Sequence, residues 1–183
     1  GAGGDPRKVQ WPDQETLVTW TPTATNQAGD ILIQTKGQLL QGIPCRGQSL
    51  LLTSADAHTM RYVGPEAIYS FQLAGEACGV VGPRAGIGYN GIATWMGSQA
   101  FFSFDGSGVR PMPCEVGDYV FGDINRDELF LVTCEHRAQY GEIIWRYPSA
   151  DSLVSDRSVT WNYREGHWTL GALNRSCMVD ANT

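Results

Sequence analysis

Three short runs of sheet-forming residues recur along the chain about every forty residues: Leu50-Leu51-Leu52-Thr53-Ser54, Ile92-Ala93-Thr94-Trp95-Met96 and Leu129-Phe130-Leu131-Val132-Thr133. Each is followed by a second run of the same character, at 59–63, 100–104 and 142–147. The first set begins at 50, 92 and 129 and the second at 59, 100 and 142, so the offsets are 42, 37, 41 and 42. One four-stranded antiparallel sheet with its three turns takes about forty residues, the period of a β-propeller blade. The expected fold is therefore all-β, a partial β-propeller of three to four antiparallel blades.

The punctuation between these runs supports many short strands. The chain has 22 Gly and 9 Pro, which fall between the apolar runs, and no segment sustains the i, i+3, i+4, i+7 pattern of an amphipathic helix. Asn90-Gly91, whose residues both tolerate positive φ, predicts a type I′ hairpin between 86–89 and 92–96. Asp105-Gly106 is expected to do the same between 100–104 and 109–114, and Arg164-Glu165-Gly166 to join 158–163 to 167–171. Alternation places Val159, Trp161 and Tyr163 on one face of that last hairpin.

These signals divide the chain. Residues 1–48 are expected to hold the closing strands of an earlier blade, at Val9–Pro12 and Leu17–Trp20, with a surface loop at 21–30. Blades follow at 49–75, 83–116 and 118–173, the last lengthened by a Ser- and Asp-rich loop at 150–156, and 174–183 starts the next element. A propeller closes at about 4–8 blades. Three units and part of a fourth, opening on Gly1-Ala2-Gly3-Gly4 without Met, read as a piece of a larger propeller protein.

Bulk properties exclude several functions. A formal charge of −6, with local basic clustering only at Arg7-Lys8, does not build a broad phosphate-binding face. No apolar run approaches the roughly 20 residues that span a bilayer, and no signal-peptide core is present at the N-terminus. Cys45, Cys78, Cys114, Cys134 and Cys177 show no CxxC or Cys/His spacing, so they read as buried reduced thiols and a reducing compartment is expected during folding.

Motifs that could carry chemistry reduce to structure on inspection. Gly86-Ile87-Gly88-Tyr89-Asn90-Gly91 matches G-x-G-x-x-G, but a strand follows where the dinucleotide motif needs a helix N-terminus, so these glycines are expected to serve turns. Ser103-Phe104-Asp105-Gly106 resembles the S-x-D-x-G-x-x-W turn of sialidase-type propellers, with the glycine one place early and no Trp after it. Asp118, Asp123, Asp127, Glu128, Glu135 and Glu142 supply carboxylates for a glycosidase pair, yet each reads as a solvated turn or cap residue. His58, His136 and His167 stand alone and read as surface or strand-edge residues; Ser54 and Ser103 lack a nucleophile elbow. Asn174-Arg175-Ser176 is a chance-level glycosylation sequon. The expectation is no catalytic residue, no cofactor and no metal. Trp11, Trp20, Trp95, Trp145, Trp161 and Trp168, with Phe101, Phe102 and Phe104, read as packing between sheets, with a sugar-binding platform as the functional alternative.

The wording of the repeats carries a resemblance. Trp11-Pro12-Asp13-Gln14-Glu15 leading into Trp20–Asp30, Leu51–Ser54 with His58–Gly64, Ala77-Cys78-Gly79, Asn90-Gly91 with Trp95-Met96-Gly97, Phe101–Gly106, Pro113–Val116, Asp118–Phe121 and Glu142–Ser149 are similar to patterns in propeller-containing virion proteins of tailed bacteriophages. The likeness resembles the packaged-DNA stabilisation and tail nozzle proteins of short-tailed phages and runs from about residue 9 onward. It implies a non-enzymatic structural protein of the virion, assembled in the bacterial cytoplasm as a ring of copies of itself. Portal or adaptor and tail proteins would be its partners, with non-specific contact to passing DNA. The acidic balance suits a conduit that does not hold phosphates. Two other readings compete: a carbohydrate-binding or glycan-cleaving propeller used in receptor recognition, and a cellular propeller scaffold.

Overall fold

Residues 4–172 are described by the computed structural model. They form an all-β protein of four antiparallel sheets. Strands β1 (Lys8–Trp11) and β2 (Gly29–Leu32) make a two-stranded ribbon. Three four-stranded meanders follow. The first holds β3 (Leu39–Cys45), β4 (Gln48–Thr53), β5 (Ala57–Gly64) and β6 (Ile68–Gly75). The second holds β7 (Gly86–Tyr89), β8 (Ile92–Met96), β9 (Phe101–Phe104) and β10 (Val109–Met112). The third holds β11 (Thr133–Arg137), β12 (Glu142–Tyr147), β13 (Arg157–Asn162) and β14 (His167–Ala172). Within every meander, strands neighbour one another in chain order, as short hairpin connections require.

Strand alternation sends one face of each sheet into a shared core. Leu50 and Leu52 of β4 join the main cluster, while Leu51 between them faces the other way. Between the second and third sheets the core is aromatic. The Phe101 ring lies 4.7 Å from Trp145 and 4.8 Å from Trp168. A buried indole needs a partner for its N–H, and the segments that connect the sheets supply one each time. Trp95 Nε1 donates to the Cys78 carbonyl (2.7 Å), Trp145 Nε1 to that of Ala85 (3.0 Å) and Trp168 Nε1 to that of Pro113 (2.8 Å). The tryptophans thus fix sheet to connector as well as sheet to sheet.

The first strands of the three meanders, β3, β7 and β11, lie side by side. Gln41 Nε2 donates to the Gly86 carbonyl at 2.7 Å and Cys45 Sγ to that of Gly91 at 2.7 Å, so β3 and β7 run in the same direction. A parallel bridge of Arg84 with Thr133 sets β11 the same way. These strands begin at 39, 86 and 133, two equal steps of 47 residues. Gly86 and Gly88 therefore do not serve turns: a Cβ on either would stand 3.0 Å from Ile43 of β3, and their bare backbone lets two strands approach. Only Gly91 of that motif is a turn residue, at φ 75° after Asn90 at 49°, as a type I′ hairpin requires.

Other expectations are corrected by local chemistry. Leu129–Leu131 is not a strand: Arg126–Leu131 is a 3-10 helix that follows α1 (Gly117–Asp123). Asn125 caps it by accepting from the Asp127 N–H (3.1 Å), and a four-residue apolar run has no period of its own to resist that turn. The true counterpart of β4 and β8 is β12, the second strand of its sheet. Leu17–Trp20 is not a strand either, with Leu17 and Val18 both more than 80% exposed; β1 pairs instead with β2. The Asp105 connection is a four-residue loop, 105–108, rather than a tight turn.

The cysteines Cys45, Cys78, Cys114 and Cys134 are free thiols, the first two buried, and Cys177 lies outside the described residues. Burial, the main cause, pushes the Cys78 thiol up to about 11. Its thiolate fraction at pH 8 falls by about a hundredfold, and alkylation should slow in proportion. Peptide mapping after iodoacetamide treatment of the folded chain checks this; labelling of Cys78 as fast as a free thiol would contradict it.

Candidate functional site

The structure distributes the sequence candidates rather than gathering them. Among the described residues no three His, Cys, Asp or Glu side chains converge as metal ligands. His58 is buried, not superficial as the sequence suggested: it is 5% exposed and its Nε2 lies 3.0 Å from Asp56 Oδ1. The same carboxylate accepts from the hydroxyls of Thr53 (2.6 Å) and Thr35 (2.8 Å), tying the segment before β3 to the β4–β5 turn. His136 Nε2 meets the Tyr163 hydroxyl at 3.0 Å, with the Tyr89 ring stacked 5.0 Å from Tyr163. These three rings join the second and third sheets. His167 is half-exposed beside Glu165 at 3.4 Å.

The carboxylates read as glycosidase candidates are spread across different roles. Glu135 accepts from the buried Arg146 guanidinium at 2.8 Å, so it is a structural ion-pair member rather than a solvated residue. Glu142 faces Arg137 at 3.6 Å and Asp123 faces Arg157 at 3.8 Å. Asp118, Asp127 and Glu128 lie on α1 and the 3-10 helix. Ser54 Oγ accepts the Gln38 N–H, and Ser103 lies within β9. The sequon at 174–176 lies outside the described residues.

What the topology does gather is charge. Because the first strands are parallel, turns 46–47, 65–67, 90–91, 105–108, 138–141 and 163–166 share one end of the molecule, called here the turn end. The connectors 54–56, 76–85, 97–100, 113–132 and 148–156 share the other, the connector end. The connectors carry nine carboxylates and two arginines, net −7, while the turns carry Arg46, Arg164, Glu66, Asp105 and Glu165, net −1. The molecule is polarised along its strands. In water such a field steers approach rather than holding the fold together.

The turn end holds a cleft of about 550 Å³ between the β3–β4 turn and the β9–β10 loop, lined by Arg46, Gln48, Arg61, Asp105 and Ser107 with two glycines. Arg46 is the first residue of a type I′ turn, at φ 42° with Gly47 at 74°, a place that favours Asn or Gly. Its aliphatic stem lies over the turns of the second sheet, where a Cβ on Gly91 or Gly106 would stand 3.1–3.2 Å from it. Asp105 accepts from the Ser107 hydroxyl (2.6 Å) and N–H (3.0 Å), and these bonds hold its carboxyl down at about 2. An NMR titration is expected to place its midpoint there, and Ser107→Ala to return it toward 3.8. An unchanged midpoint in the variant would refute that cause.

A second cleft, of about 410 Å³, lies where the β1–β2 ribbon crosses the first sheet. Trp11 packs edge-on against Tyr69 (5.2 Å) and stacks on Phe71 (6.0 Å), which covers much of its ring. Tyr62, 57% exposed, stands edge-on to Tyr69 at 6.0 Å. The loop bearing Asp13, Gln14 and Glu15 forms the opposite wall.

Neither charge polarity nor the two clefts was legible beforehand, since each depends on which turns share an end. Fold and surface together define an all-β protein of tandem antiparallel meanders with opposed acidic and arginine-bearing ends. No protein-family model matches the chain, and no curated protein sequence matches it.

Proposed function

We propose that the three meanders are consecutive blades of a β-propeller, fanned about an axis lined by β3, β7 and β11, and that the chain is a structural component of a phage virion neck or tail. In this reading copies assemble as a ring that retains and conducts packaged DNA through protein–protein contacts. The neighbours are a portal or adaptor protein and tail proteins. The observation that carries it is the set of parallel first strands at equal spacing, since a blade array places its first strands around an axis. The net charge of −6 supports the conduit role, because an acidic surface repels phosphate and leaves the polymer free to move.

Sedimentation velocity on the purified chain, with a glycan array in parallel, tests this. The expected result is a concentration-dependent closed oligomer, no saturable sugar binding and no turnover of bacterial polysaccharides. A monomer at all concentrations would overturn it. The exposed Tyr62 and its partner Tyr69 opposite Asp13 and Glu15 favour a second reading, a carbohydrate-binding propeller in receptor recognition. Sugar binding abolished by Tyr62→Ala would establish that reading in place of the first.

A further inference from the structure

We propose that the arginine cleft at the turn end receives the acidic helical segment, residues 113–132, of a second copy of this chain in a head-to-tail contact. The proposal rests on the ring reading above and supplies its interface. Arg46 and Arg61 are both exposed and line one cleft, and neither has an ion pair among the described residues. Arg7, Lys8, Arg110, Arg137, Arg146 and Arg157 each face a carboxylate, whereas Lys36, Arg84, Arg126 and Arg164, which also have no ion pair among the described residues, do not line this cleft. The one carboxylate in the cleft wall, Asp105, is engaged by Ser107 and lies 3.7 Å from Arg110. Arg46 is also held in place by its turn and by contact with two glycines of the neighbouring sheet, so less freedom is lost when it binds.

The proposed occupant lies at the opposite end. Segment 113–132 carries five carboxylates and one arginine. Glu115, Asp118 and Asp127 are exposed and have no ion pair among the described residues. Tyr119 and Phe130 beside them are 50% and 58% exposed, an apolar complement to the charges that a solvent-facing segment does not need. Because cleft and segment sit at opposite ends, one molecule cannot satisfy itself. Pairing them joins different patches of successive copies, and such a heterologous contact closes into a ring when its rotation permits. Nucleic acid fits the cleft less well: two guanidinium groups replace about two counterions, too few to hold a polyanion against a chain of charge −6.

Charge reversal and its rescue test the contact, read by sedimentation velocity at about 50 mM salt, where screening is weak. Arg46→Glu with Arg61→Glu is expected to weaken assembly at least about tenfold, and so is Glu115→Lys with Asp118→Lys and Asp127→Lys. All five changes in one chain reverse both partners, and assembly should return to within about threefold of the original. Circular dichroism confirms that each variant folds. If either reversed set assembles like the unaltered chain, or the fivefold variant fails to recover, the contact is overturned while the ring reading stands. If the unaltered chain never assembles, the ring reading itself fails. If an oligonucleotide of about 20 nucleotides binds through Arg46 and Arg61 while assembly is unchanged in the arginine variant, the cleft belongs to nucleic acid and the contact is overturned.

Discussion

Trp145→Ala is expected to lower the free energy of unfolding by about 3–5 kcal/mol, the largest loss from any single change considered. The side chain is fully buried and sits where the second and third sheets meet, against Phe101 (4.7 Å) and stacked on Trp168 (5.9 Å). Its Nε1 donates to the Ala85 carbonyl at 3.0 Å, so truncation empties a cavity and also removes one of the two donors to that carbonyl, the Met96 N–H at 2.9 Å remaining. The neighbouring Trp168 ring is held by its own bond to a connector and cannot collapse freely into the gap. Urea unfolding followed by tryptophan fluorescence measures the effect. Trp145→Phe keeps most of the volume and should cost roughly half as much. A loss under about 1 kcal/mol for alanine would mean that the sheets do not pack through this residue.

Asp56→Ala is the second large effect, a loss of about 3 kcal/mol. Asp56 accepts from Thr53, Thr35 and His58, and Thr53 and His58 are both buried. Alanine removes the carboxylate: the Thr53 hydroxyl can still reach the carbonyl of residue 56 (3.1 Å) and Thr35 can turn to Thr53 (3.3 Å), but the buried His58 Nε2 loses its partner, which costs more than the net worth of that bond itself. For a chain of this length the melting temperature should fall by about 6–12 °C. Asp56→Asn retains one acceptor oxygen and should lose about half as much. A melting temperature unchanged by alanine would show that the network contributes nothing to stability.

How far the sequence disclosed the fold depended on whether a signal was local. The Asn90-Gly91 hairpin, the loop at 150–156 and the shared face of Val159, Trp161 and Tyr163 all rest on neighbours in the chain, and the structure places them as expected. Arg46-Gly47 makes the same turn as Asn90-Gly91, but an arginine with positive φ gives no warning in the sequence. Leu129-Phe130-Leu131 copied the composition of a strand while its conformation was decided by the Asn125 cap and by its place in a connector. His58 looked solitary because its partner stands only two residues away, and spacing of two brings side chains to the same face only once a strand forms. The arginine cleft was hidden for a different reason. Arg46, Arg61 and Ser107 belong to three separate turns or strands, and only the order of the meanders brings them together. The acids of segment 113–132 were visible as composition, but their place opposite that cleft required the parallel first strands.

A cryo-electron microscopy reconstruction of the purified assembly tests the central claim most directly. The expected image is a closed ring of identical copies, with the acidic end of one copy seated on the arginine end of the next, and within each copy the sheets fanning about an axis of its own lined by β3, β7 and β11. Separate monomers, or sheets stacked without a common axis, would contradict it.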